Sequence, residues 1–183
     1  YYYLENNLKL DDAEFYMNRI YENWQKELQK LSNIRTVDNV IPQNDFIERN
    51  KKQIALKNLL TWNEFKKKRK ALFPDKDYVL NEKIKSLENS ISLNDESMLT
   101  DSNYLNFIKE NLIENDLREI NQDQKYFDAI YKLDDGVVKN KLLYSHLAKN
   151  IKEIEEITKR DSVFNKYINQ ISNTSYVALL EKN

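Results

Sequence analysis

Glycine occurs once in 183 residues, at Gly136, and proline twice, at Pro42 and Pro74. Average usage of about 7% glycine and 5% proline would supply roughly 13 and 9. Phosphate-cradling loops and the dinucleotide fingerprint need two or three closely spaced glycines. Sheet proteins with many tight hairpins need glycine wherever φ is positive. One glycine writes none of these. Cysteine is absent, which excludes disulfides, a thiolate nucleophile and a Cys-ligated metal. The single histidine, His146, excludes a two-histidine zinc motif. No run approaches 18 apolar residues, so none reads as a transmembrane helix. No signal-peptide pattern stands at the start either. The chain opens on Tyr1-Tyr2-Tyr3-Leu4, so the expectation is a fragment of a longer polypeptide, with any targeting signal upstream.

Charge is plentiful but balanced. There are 29 Lys and Arg against 30 Asp and Glu, a net of −1. That balance creates no whole-molecule field to steer nucleic acid or an anionic membrane. With 40% hydrophobic and 11% aromatic residues, the chain is too apolar to remain disordered. Its length is that of one ordinary domain, and a single helical domain over 1–183 is expected. The abundance of Asn, Lys, Ile and Tyr reads as AT-rich codon usage rather than as a functional signal.

Hydrophobic periodicity is helical throughout. After Asp11 or Asp12 as N-cap, Ala13, Met17, Ile20, Trp24, Leu28 and Leu31 recur in steps of three and four, one apolar stripe on a 3.6-residue period. A polar connector over 32–41 ends at Pro42. A second long helix is predicted from about Asp45 to Leu72, with Ile47, Ile54, Trp62, Phe65 and Leu72 on its stripe and Leu59 and Leu60 alongside. Pro74 stops it, because the residue before a proline is pushed out of the α region. A short helix from Asp77 would carry Leu80, Ile84 and Leu87. Residues 90–97 break the pattern with Ser, Asn and Asp, whose side chains favour turns and caps.

A helix from Asp101 or Ser102 then carries Leu105, Ile108, Leu112 and Ile113 and ends near Asn115, with Leu117 and Ile120 in a turn beyond it. A shorter helix follows over about Asp123 to Leu133, with Phe127, Ile130 and Tyr131. Asp134-Asp135-Gly136 is the strongest turn signal. Beyond it come a helix with Val138, Leu142 and Leu147, then short helices over Ile151–Lys159, Asp161–Ile171 and Thr174–Leu180. No period-two strand is present. The predicted fold is all-α, with seven to eight helices as an irregular bundle or stacked helical hairpins. The 34-residue tetratricopeptide pattern does not recur.

Each residue that could carry chemistry has a plainer reading beside it. Lys66-Lys67-Lys68-Arg69-Lys70 could be a nucleic-acid or nuclear-localisation patch. Five consecutive residues splay around a helix, however, and cations suit a helix C-terminus just before Pro74. His146 could act as a general base. Its neighbours at three and four positions, Leu142, Leu143, Lys149 and Asn150, offer neither nucleophile nor orienting carboxylate. Glu153, Glu155 and Glu156 could approach a metal, but they lack the Glu-x-x-His partner of bundled di-metal sites and read as a solvated face. Trp24 and Trp62 sit on apolar stripes and read as core anchors rather than ligand platforms. Tyr1–Tyr3 could form a binding patch or an end of a cut chain. Asn173-Thr174-Ser175 matches a glycosylation triplet. No catalytic, cofactor-binding or metal residue is assigned, and no enzyme activity is expected of this chain.

Several stretches together carry a family resemblance. They are Glu5-Asn6-Asn7-Leu8 with Ala13-Glu14-Phe15; Phe46 with the run from Ile54 to Leu60; Ser92-Leu93-Asn94-Asp95-Glu96-Ser97-Met98-Leu99 with the run from Ser102 to Ile108; the run from Val137 to Tyr144; and Phe164-Asn165-Lys166-Tyr167-Ile168. In pattern they resemble the helical region of TlpA-type thioredoxin-like thiol-disulfide oxidoreductases of Bacteroidetes, though no single motif among them is diagnostic. In that family a helical region precedes a C-terminal thioredoxin domain in an exported polypeptide. The resemblance implies a periplasmic or cell-envelope setting, and an accessory role positioning the adjacent redox domain or its protein partner. Leu179 to Asn183 would approach that domain. The family's redox site is a Cys-x-x-Cys, and a chain without cysteine takes over none of its catalytic residues. A free-standing helical-hairpin interaction module is the alternative.

Overall fold

The computed structural model describes residues 10–35, 38–112, 127, 129–153 and 157–182. Tyr1–Tyr3, the Glu5–Leu8 stretch, Ile113, Asn115, Leu117, Ile120, Asp123, Glu155 and Glu156 lie outside them. The described residues are all-α, with no strand among them. The chain divides into two compact units between Ser92 and Leu93.

The first unit holds α1 (Ala13–Ser32), α2 (Asn44–Leu72) and α3 (Glu82–Glu88). Asp12 caps α1, its carboxylate accepting from Phe15 N at 2.9 Å. That satisfies one of the amides a helix start leaves unpaired. The stripe buries Ala13, Met17, Ile20 and Leu31, joined by Tyr16; Trp24 and Leu28 are half-buried at its edge. α1 and α2 run antiparallel, since contacts climb one helix while descending the other. Tyr16 stacks on Phe65 with centroids 4.5 Å apart. Further along α1, Asn23 donates to the Asn58 carboxamide oxygen at 2.9 Å, Glu27 accepts from Asn58 Nδ2 at 3.0 Å, and Glu27 also pairs with Lys57. Trp62 and Phe65 are fully buried. Such aromatics bury about 150–250 Å² each, and they dominate a core of this size.

α2 ends where proline required. Phe73 leaves helical geometry at φ −135°, while its N–H still closes on Arg69 O at 2.8 Å. The expected inward position of Leu72 is not observed: although it continues the Trp62–Phe65–Arg69 stripe, it is the last residue of α2 and 55% exposed. α3 begins at Glu82 rather than Asp77. Asn81 wins the competition for N-cap, accepting from Ile84 N at 3.0 Å, and this register turns Ile84 and Leu87 inward. Glu88 then accepts the Trp62 indole N–H at 2.9 Å, tying α3 to α2.

The second unit holds a 3-10 turn (Glu96–Met98), α4 (Ser102–Leu112), α5 (Val137–Glu153), α6 (Ile157–Ile168) and α7 (Thr174–Glu181), with helical residues at Phe127 and Ala129–Tyr131. α5 runs on to Glu153, past the predicted break at Ile151, so the last third is less fragmented than its periodicity indicated. Buried Tyr104, Phe107 and Ile108 of α4, Phe127 and Ile130, and Val138, Leu142, Leu143 and Leu147 of α5 supply its apolar interior. Tyr104 is also tied into the 92–99 segment, its hydroxyl accepting from Asp95 N at 2.9 Å.

Gly136 does stand at the entry to α5, but for a different reason from a left-handed turn. Its φ is not positive. A Cβ there would meet both polar atoms of the Asn94 carboxamide at 2.9 Å, so glycine permits a close approach. The left-handed position that glycine usually takes falls instead to Asn39, φ 61°, between α1 and α2. Asn and Asp tolerate that region better than other side chains.

Candidate functional site

The basic run does not form one surface. Lys66 lies 3.8 Å from Glu88 and Lys68 3.1 Å from Glu64. Arg69 points the other way and is buried. Its Nη1 donates to Leu10 O at 2.7 Å and Asp11 O at 2.6 Å, and its guanidinium lies 5.3 Å from the ring centre of Tyr78. The run is thus split between ion pairs on the flanks and an inward clasp that holds the approach to α1 against the end of α2. A nucleic-acid groove needs cations converging on one track, and here helical geometry disperses them.

His146 is half-buried on α5, its ring 5.8 Å from that of Phe127. Glu153 lies within α5, its side chain outside the described residues. No group of three or more His, Asp or Glu able to hold a metal exists among the described residues. Trp62 is the anchor its stripe position implied. Trp24 is only half-buried, and its indole N–H finds no partner among the described residues. Asn173 of the glycosylation triplet is committed to structure: its side chain accepts from Ser175 N at 3.0 Å and Tyr176 N at 3.2 Å, capping α7.

Two of the hollows among the described residues bear on a site. One, of about 510 Å³, follows the polar side of α1 past Arg19, Glu22, Lys26 and Gln29; groups on a single helix diverge rather than converge on a ligand. The other, about 180 Å³, lies beside Leu93, Asn94, Leu133 and Lys139. Of its two lysines, Lys132 and Lys139, Lys139 is engaged, with Nζ 2.8 Å from Asp135 and over the ring of Tyr131.

The tyrosines whose acidity is perturbed move away from reactivity. Burial raises the pKa of Tyr16, Tyr78 and Tyr104. Lys68 pulls Tyr16 partly back, Arg69 pulls Tyr78 back while Glu88 opposes it, and the Asp95 amide steadies the Tyr104 phenolate against the Asp95 charge. A phenol held neutral is no nucleophile at neutral pH.

Of the polar residues that matter most to the architecture, the sequence marks only Arg69, and that as part of a basic run rather than as a buried tie. Asn140, 7% exposed, is a four-way tie. Its Nδ2 donates to Gly136 O at 2.8 Å and Ser172 Oγ at 3.0 Å, and its Oδ1 accepts from Ser172 N at 2.8 Å and Asn173 N at 3.1 Å. It fastens the start of α5 to the α6–α7 turn, much as Asn58 fastens α1 to α2. The signal that could have found them is position. Asn140 precedes Leu143 and Leu147, Asn58 precedes Trp62, and Arg69 follows Phe65, each on an apolar stripe where a polar side chain must have a partner. No protein-family model, curated protein or solved structure matches the chain.

Proposed function

We propose that this chain is a non-catalytic helical scaffold of a TlpA-type thioredoxin-like protein of the periplasm or cell envelope, positioning the redox domain or the protein partner it acts on. The observation that carries the reading is where the buried polar groups are spent. Asn58, Arg69 and Asn140 each tie one element to another. The stretches that carry the family resemblance include packing positions, Ala55, Leu56 and Leu59 in α2, Val138, Leu142 and Leu143 in α5 and Tyr167 in α6, beside the exposed Phe15, Phe46 and Leu93. None of the described helices is long and apolar enough to cross a membrane.

In the parent protein, excision of residues 10–182 is expected to leave reduction of a small disulfide such as Ellman's reagent unchanged, while lowering kcat/KM for a protein disulfide. Loss of the small-disulfide reaction with the redox domain still folded would place this region inside the catalytic machinery and overturn the proposal.

A second reading, a free-standing interaction module, is favoured by one feature. Ile34, Val40, Ile41 and Phe46, 41–69% exposed, gather around the α1–α2 turn. A parent protein without a redox domain would favour this reading over the first.

A further inference from the structure

We draw no further inference here: the strongest candidate, the exposed apolar surface patch of Ile34, Val40, Ile41 and Phe46 around the α1–α2 turn, has Asp38 and Asp45 interspersed with Arg35 and Arg49, so it presents no single sign of charge and nothing in the structure shows what covers it.

Discussion

Replacing Asn140 with leucine keeps the side chain's size and removes its hydrogen bonds to four partner atoms. At about 1 kcal/mol net per bond the loss would approach 4 kcal/mol, but two corrections apply. Ser172 is exposed, so its hydroxyl regains water. Leucine also returns part of the transfer free energy of a buried apolar side chain, about 1.5–3 kcal/mol when burial is complete. The uncompensated cost is the pair of backbone N–H groups of Ser172 and Asn173 left without the Asn140 oxygen. Stranding a buried donor costs about 1–3 kcal/mol, and these two are part-buried, so the net destabilisation comes to about 2 kcal/mol. With a urea m-value of about 2 kcal/mol/M, the unfolding midpoint followed by far-UV circular dichroism should fall by about 1 M.

Asn140→Asp separates the two halves of the tie. It keeps an oxygen for both N–H groups and adds charge near the start of α7, where an anion is favourable, but it sets a second oxygen against Gly136 O. Its midpoint should lie between wild type and Asn140→Leu. A leucine variant as stable as wild type would refute the role of the tie. An aspartate variant at or below leucine would refute the argument that stranded N–H groups dominate.

Arg69→Met should lower stability by about 1–2 kcal/mol, because it leaves the buried Leu10 carbonyl unpaired while most of the aliphatic stem is kept. Trp24 and Trp62, the chain's two tryptophans, both lie in the same unit as Arg69, so tryptophan fluorescence in a urea titration reads this locally. A Met variant more stable than wild type would mean that burying the guanidinium costs more than its two carbonyl bonds return. Alkaline pH should also unfold the protein. Tyr16, Tyr78 and Tyr104 have folded-state pKa values raised by burial. The folded state therefore holds protons that the unfolded state releases near pH 10, and stability falls as pH rises through that range. Tyr104→Phe should flatten the fall, seen as a shallower loss of urea midpoint above about pH 10; an unchanged slope would contradict the assignment.

Much of the fold could be read from spacing alone. The α1 stripe and its Asp12 cap, the stop of α2 at Pro74 and the turn into α5 all follow from local rules, and local rules need only neighbours in sequence. The departures occur where long-range partners decide. Arg69 is buried because carbonyls of Leu10 and Asp11, 59 and 58 residues away, are there to receive it, and no window of hydropathy contains that fact. Trp24 and Trp62 look alike in sequence; α3 covers Trp62 and supplies Glu88 to its indole, whereas Trp24 stays at the edge. Asp75, Asp77 and Asn81 are all competent caps before α3, and packing of Ile84 and Leu87 selects the last. Gly136 was readable as a boundary, but its reason, the Asn94 side chain against its backbone, needed coordinates. The candidate site was legible mainly as a set of exclusions, because the polar residues it eliminates are chemically ordinary ones.

The central claim, that this helical framework serves a redox domain it does not contain, is tested most directly by determining the parent reading frame beyond Asn183. The account predicts a thioredoxin-like domain downstream, with Cys-x-x-Cys opening a helix. A reading frame that holds no such motif would contradict it.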